Sequence, residues 1–344
     1  MITLKEIAKE CGVSTATVSN ILNGKNKVSE ETRKRVMEVV NQRGYKLNYV
    51  AQGLRRQKTQ TIGVIAEDIA QFTTPEIIEG IMEVCEERGY RTIVQNLRLY
   101  SRWQDLWFDN DKMYYSVMNP AVQEMASIRV DGIVYVAGHA RKINRFPSDY
   151  NIPSVLAYAY SQDEEVPSVV IDDEDAARTI VEYLIKNGHS KIGVLAGEQE
   201  NMHTKLRMLG YQKALYEAGI LYNPELVVYA GWGKEQAYGA AKQLLDKDIT
   251  AIFCMSDRNA GGIYKYLFEH GKCAGRDISV VGFDDEIISD FMTPGLTTMR
   301  IKLVDIGMNA MGLLLDKIEE KQVPGLVKVP CNLIVRDSVV ELKK

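Results

Sequence analysis

The sequence predicts an all-α helix-turn-helix head joined to an α/β body of two doubly wound parallel sheets. Three observations carry this reading. Near the N-terminus, short runs with helical apolar spacing are punctuated by glycine. After residue 60, short apolar runs alternate with amphipathic ones, the pattern of parallel strands covered on both faces. The charge is split between the two parts. Residues 1–58 hold 12 Lys and Arg against 5 Asp and Glu, a net of about +7, whereas the whole chain is −4, which leaves about −11 for the rest. A basic head on an acidic body is the balance expected of a nucleic-acid binder with a second, separate task.

Leu4, Ile7, Ala8 and Cys11 share one helical face, and Gly12 is placed to end that helix. Ser14 caps the next run, in which Val18, Ile21 and Leu22 face inward and small polar side chains face outward. A third helix opens at Ser29, takes Glu30 and Glu31 at its positive end, buries Val36, Val39 and Val40, and closes at Gly44. Two helices across a tight glycine turn with a third behind them make a helix-turn-helix unit.

The body opens with the strand "TIGVIAED". A helix from Pro75 to Gly89 follows, then strands in "RTIVQNL", "VDGIVYVAG", "SVLAYAY" and "PSVVIDD". A second series has helices at 173–187, 204–218, 234–246 and 258–270. Between them lie strands in "KIGVLAG", "ELVVYAG", "TAIFCMSD" and "DISVVGFDD". A last helix spans 302–320. So many units imply two lobes. The expected division is 1–46 head, 47–60 linker and 61–344 body. The first lobe takes about 61–160 plus 296–322, and the second about 161–295 plus 323–344.

At 344 residues the chain has room for two or three domains, and its 46% hydrophobic content is ample for real cores. It starts directly in an amphipathic helix rather than a secretory signal, and no apolar run is long enough for a membrane span. The five cysteines, Cys11, Cys85, Cys254, Cys273 and Cys331, are scattered without a CxxC pair. The chain therefore reads as cytoplasmic, with neither disulfide nor metal site. No GxGxxG follows a strand, and no nucleophile–base set or phosphate loop is present, so neither an enzyme nor a cofactor is expected.

The motifs "TLKEIAKECGVSTATVSNILNG", "VSEETRKRV", "YKLNYVAQGLRR", "LRMLGYQKAL", "DISVVGFDD" and "TPGLTTMRIKLVDIG" occur in this order and spacing. Over nearly its whole length the chain resembles the lactose/galactose repressor family. The resemblance implies a homodimer on palindromic double-stranded operator DNA, with a hinge helix and a two-lobed core like a periplasmic sugar-binding protein. It implies a small effector in the cleft that changes operator affinity.

The resemblance makes the second helix the recognition helix. Thr15, Ala16 and Asn20 match base-reading positions. Thr3, Ser14, Thr17, Ser19, Asn23, Ser29 and Thr32 match their neighbours and phosphate contacts; Ser29 serves equally well as a cap. The family commonly has arginine at the Asn20 position, and asparagine favours adenine where arginine favours guanine. In the hinge, Leu54 matches the wedge that enters a central base step, beside Asn48, Ala51, Gln52 and Arg55. Leu47 stands where proline is frequent.

Ligands of open parallel sheets bind at the carboxyl ends of the strands, here in the cleft between lobes. The candidates there are Asp68, Phe72, Thr73, Tyr158 and Tyr160 from the first lobe. From the second come His203, Arg207, Trp232, Asp257 and Asp284. Arg207 and Asp284 match the family's effector-binding arginine and aspartate. Asp257 and Asp284 also fit as helix caps, and Trp232 as core. Ser256 and Ile301 replace an asparagine and a polar residue common in the family. A carboxylate, a guanidinium and an aromatic plate suit a sugar or sugar derivative. The alternatives are a purine-like co-repressor and, against the basic head, a solute-binding transport component. The aromatic-rich segment 97–120 reads either as a flap on the first lobe or as a lid or dimer contact.

Overall fold

A computed structural model describes residues 2–22, 28–45, 58–104, 106–108, 110–143, 146 and 150–342. The chain divides into two compact units, Met1–Thr59 and Gln60–Lys344.

The head has three helices, α1 (Leu4–Glu10), α2 (Thr15–Leu22) and α3 (Glu30–Gln42). Thr3 and Glu6 form a reciprocal capping box that satisfies the first N–H groups of α1. Gly12 turns the chain at φ 63°, a conformation that would strain a side chain. Ile7, Ala8, Cys11, Val18, Ile21, Val36 and Val40 close the core, so each helix buries the face its apolar spacing predicts.

The body begins β1 (Thr61–Ala66), α4 (Thr74–Glu87), β2 (Arg91–Asn96), α5 (Leu99–Trp103), α6 (Asp111–Ile128), β3 (Gly132–Val136), β4 (Lys142–Ile143), β5 (Ser154–Ala157), β6 (Tyr160–Ser161) and β7 (Ser168–Ile171). It continues α7 (Asp173–Lys186), β8 (Ile192–Ala196), α8 (Met202–Glu217), β9 (Val227–Tyr229), α9 (Lys234–Leu245), β10 (Ala251–Cys254), α10 (Asp257–Glu269), β11 (Ser279–Val281) and α11 (Ile287–Phe291). It ends β12 (Thr298–Arg300), α12 (Leu303–Ile318), β13 (Leu326–Val329) and β14 (Asn332–Ile334).

Two parallel sheets result. The first has the order β13-β7-β5-β3-β1-β2 and the second β11-β10-β8-β9. The expected lobe boundaries need correction here. β7 and β13 both belong to the first sheet, where Leu326–Val329 pairs in register with Ser168–Ile171. The division read from the sequence places both in the second lobe. An apolar run states that a strand is buried, not which sheet it joins. The chain passes between lobes three times: after β7, around β12, and between β13 and β14. At the passes β12 pairs antiparallel with β14.

The α4–α12 pair shows how closely the first lobe is packed. A Cβ on Gly80 would lie 2.1 Å from the Val304 carbonyl oxygen, and one on Gly307 would lie 2.0 Å from that of Ile77. Only glycine lets these helix backbones meet. All five cysteines are free thiols, three of them buried. Among the described residues, no helix is long and apolar enough to cross a membrane.

Candidate functional site

On the head, Thr15 and Ala16 are exposed at the start of α2. Thr17, Ser19 and Asn20 are partly buried along it, while Val18 and Ile21 face the core. Ser14 Oγ accepts the Thr17 N–H at 3.0 Å and shares a 2.8 Å hydrogen bond with Thr17 Oγ1. Ser29 repeats this arrangement with Thr32. Each pair spends one of its two O–H groups internally and keeps the other for an outside acceptor such as a phosphate. Thr3, Ser14 and Ser29 thus cap helices first. Lys5, Lys9, Lys34 and Arg35 are exposed on the same unit. Asn23, Asn48, Ala51, Gln52, Leu54 and Arg55 lie outside the described residues.

In the body, the strand ends converge on a buried polar cluster. Asp173, the first residue of α7, accepts from Arg207 Nε through Oδ1 and lies 2.8 Å from His203 Nδ1 through Oδ2, the Arg207 contact also being 2.8 Å. Arg207 and His203 sit one helical turn apart on α8, which is why one carboxylate holds both. The guanidinium also donates to the Met255 carbonyl and stacks 3.6 Å from the centre of the Phe283 ring. Burial by itself would push the Asp173 carboxyl up. His203 and Arg207 outweigh it and hold the group below its ordinary range.

Asp284 lies 3.7 Å from Arg207 Nη2, in a backbone with φ 110° that is rare for a side-chain-bearing residue. Its carboxyl is pushed well above the usual range, mainly by burial. Arg207 opposes this, and the nearby Asp257, Glu286 and Asp173 add to it. Tyr158, at φ 64°, is buried beside His203 with ring centres 5.2 Å apart. Trp232 lies 5.7 Å from the Arg207 guanidinium. Three buried polar atoms here have no hydrogen-bond partner: Thr204 Oγ1, Trp232 Nε1 and Tyr160 Oη. Trp232 and Thr204 close over Gly197, where a Cβ would fall 2.2 Å from the indole.

Besides the Tyr158–His203 ring contact, a hydrogen bond and a cation–ring contact cross the cleft among the described residues. The Ala140 N–H, just beyond β3, donates to His203 Nε2 at 3.1 Å. The Arg258 guanidinium lies 5.2 Å from the Phe72 ring centre and forks onto Glu286. His139, near His203 and Arg258, has its imidazole pushed down to about 4, chiefly by burial.

Three expected effector residues are used differently. The Asp68 carboxylate accepts from Ser101 and from the Ala70 N–H, so it ties down α5. Thr73 Oγ1 donates to the Gly138 carbonyl inside the first lobe. Asp257 is clamped by the Thr298 hydroxyl at 2.6 Å and the Glu286 N–H at 2.8 Å, which anchors the loop after β11. Ile301 joins the central core.

The aromatic segment 97–120 packs on the first lobe. Trp107 and Tyr114 are buried in its second core cluster, and the Arg141 guanidinium lies 4.7 Å from each ring centre. Arg141 pairs at 3.0 Å with buried Glu67, which also accepts from Tyr135 Oη and the Gly138 N–H. Neither this buried pair nor Asp173 has a local signature in the sequence, because the partners are far apart along the chain.

A family model described as bacterial regulatory proteins, lacI family, matches residues 3–48, and a periplasmic binding protein-like domain matches residues 181–339. The catabolite control protein A of Priestia megaterium is 32% identical over 98% of this chain and 99% of its own length.

The chain belongs to the lacI family of bacterial regulatory proteins.

The transcriptional repressor CytR of Escherichia coli strain K12 is likewise 32% identical, over 98% of this chain and 96% of its own. Among solved structures, the lac repressor dimer bound to operator and the anti-inducer ONPF is similar. It has a TM-score of 0.80 and 26% identity, over 98% of this chain and 99% of that one. The complex of the regulator CelR with cellobiose has a TM-score of 0.66 at 25% identity, over 98% and 100%. As a lacI-family member this chain is a DNA-binding transcription regulator with a helix-turn-helix head and a two-lobed α/β core. It is similar to regulators rather than to enzymes.

Proposed function

We propose that the chain is a cytoplasmic homodimeric repressor whose operator affinity is set by an uncharged polar small molecule, a sugar or sugar derivative, bound between the lobes. α2 enters the major groove, where Thr15, Ala16 and Asn20 meet base edges. The supporting observation is the cluster of Asp173, His203, Arg207 and Asp284 at the strand ends, with Thr204 Oγ1, Trp232 Nε1 and Tyr160 Oη unpaired beside it. Buried polar atoms are normally hydrogen-bonded, so such a group points to a ligand that completes them.

The charges favour an uncharged ligand. Arg207 is held by Asp173 and Arg258 by Glu286, while Asp284 is an additional acid. A phosphate or carboxylate would meet acids before any uncommitted cation.

Thermal unfolding with neutral sugars and nucleosides, each beside its phosphate ester, tests this. A neutral compound should raise the melting temperature by mass action, and its ester should not. Stabilisation by esters alone overturns the charge reading. A wild-type effector response in both Arg207→Ala and Asp284→Ala overturns the cleft assignment.

A further inference from the structure

We propose that Asp173 is a positioning residue that fixes the tautomer of His203, so that His203 bolts the two lobes together across the cleft without a ligand. A backbone N–H can only donate, so the Ala140 N–H, 3.1 Å from His203 Nε2, requires a lone pair on that nitrogen. The ring is therefore neutral, with its proton on Nδ1. Nδ1 points at Asp173 Oδ2 at 2.8 Å, a carboxylate oxygen that can only accept from it. Asp173 is kept ionised by its second neighbour, because Arg207 Nε occupies Oδ1 at 2.8 Å. Asp173, His203, Arg207 and Ala140 are all buried. Water therefore does not compete for these groups.

The order of the contacts gives each residue one task. Arg207 holds Asp173, Asp173 places the imidazole proton, and the freed Nε2 reaches the opposite lobe. This is the logic by which a carboxylate behind a histidine sets which ring nitrogen acts in front. The other ionisable groups facing this ring are Tyr158, His139 and Arg258, across and beside the cleft, and Asp284 behind Arg207. The Arg258 guanidinium has no acceptor to offer the Ala140 N–H in place of His203. Closure is thereby tied to the same arginine that the Proposed function assigns to the effector. The inference draws its regulatory meaning from that reading, but its test does not need an effector.

The test is long-range 1H–15N NMR of the full ligand-free chain with labelled histidine, at neutral pH. The chain has four histidines, and the His203 signals are assigned by their loss in His203→Gln. A protonated Nδ1 and bare Nε2 are expected. Hydrogen exchange at the Ala140 amide gives the second readout. Loss of its acceptor in His203→Leu should speed exchange about tenfold, and His203→Gln, whose amide oxygen can accept, should keep most of the protection. Asp173→Asn should mix the tautomers and speed Ala140 exchange, a spectroscopic change that a purely structural carboxylate would not produce. Should that variant fail to fold, the wild-type spectrum and the Gln/Leu pair still decide. An Nε2–H tautomer or an imidazolium in the wild type overturns the proposal, as does Ala140 exchange equal in wild type and His203→Leu. Absence of any effector response, with the tautomer as expected, would count against the effector reading alone.

Discussion

Arg207 shows how one residue can be readable in sequence while its role is not. The stretch "LRMLGYQKAL" marked it, but the partner that fixes it, Asp173, was hidden in "VVIDDEDA". Two aspartates at a helix start look like two candidate caps. Asp172 does cap α7, and Asp173 turns inward to Arg207 and His203. The local pattern carries no sign of which acid is buried, because its partners lie some 30 residues away in sequence. Removing Arg207 leaves that acid uncompensated. Arg207→Ala should destabilise the body by about 3–5 kcal/mol and abolish the effector response, read by denaturant unfolding and by effector titration. Asp257 gives a prediction of opposite pH sign to the histidines. Burial raises its carboxyl to about 7, against the lowering by Thr298 and the Glu286 N–H. A folded-state value above the unfolded one means that its contribution is complete below the ordinary carboxylate value and is lost as pH rises through about 7. Asp257→Asn can offer its amide oxygen to Glu286 and its NH₂ to the Thr298 hydroxyl. Melting temperatures should therefore fall less between about pH 4 and 7 in the variant than in wild type, and equal slopes would refute this origin.

At the scale of elements, helices were the most legible. The run at 173–187 and the helix Asp173–Lys186 agree to a residue, because amphipathic period and caps are local signals. β7 was found as a strand and assigned to the wrong lobe, since sheet order is decided by long-range pairing. The aromatic segment was undecidable in sequence because its fixed point is distant. Trp107 and Tyr114 are held by Arg141, which is itself held by Glu67. The α4–α12 crossing makes a sharp comparison. Gly80→Ala and Gly307→Ala put a methyl against backbone oxygen and should lose about 1–3 kcal/mol or more. Gly312→Ala, on the same helix α12 with no heavy atom within 4 Å of the added Cβ, should instead gain up to about 1 kcal/mol. Urea unfolding of the three variants separates close approach from helix propensity. His189 ties the last segment to the second sheet, with Nδ1 3.0 Å from Thr250 Oγ1 and Nε2 3.0 Å from the Val340 carbonyl. Burial lowers its imidazole, an effect that Val340 partly opposes. Its stabilisation is present above the ordinary imidazole value of 6.5 and is lost as pH falls below it. Amides of 335–342 should exchange faster relative to the core as pH drops through that range.

For the whole molecule, the split of charge predicts its behaviour on DNA. With about +7 on residues 1–58, operator affinity should fall steeply, roughly 10³-fold or more between 50 and 200 mM salt, as phosphate contacts release counterions. Binding measured across that range would refute the head's role if it stayed flat. Effector and operator must also affect each other's affinity by the same factor, whatever its sign. The chain passes between the lobes three times, after β7, around β12 and between β13 and β14. Neither lobe is an unbroken stretch of sequence, so no single cut releases one. A gene fragment that encodes one sheet in order also carries pieces of the other. Recombination can exchange the head as a cassette, but the lobes must be inherited together. Mechanically, three parallel tethers suppress independent twisting and leave one soft angle between two stiff bodies. A body with one degree of freedom cannot grade its answer by which atom of the cleft is touched. Different small molecules should therefore differ in how far they move that angle, and be ranked along a single line.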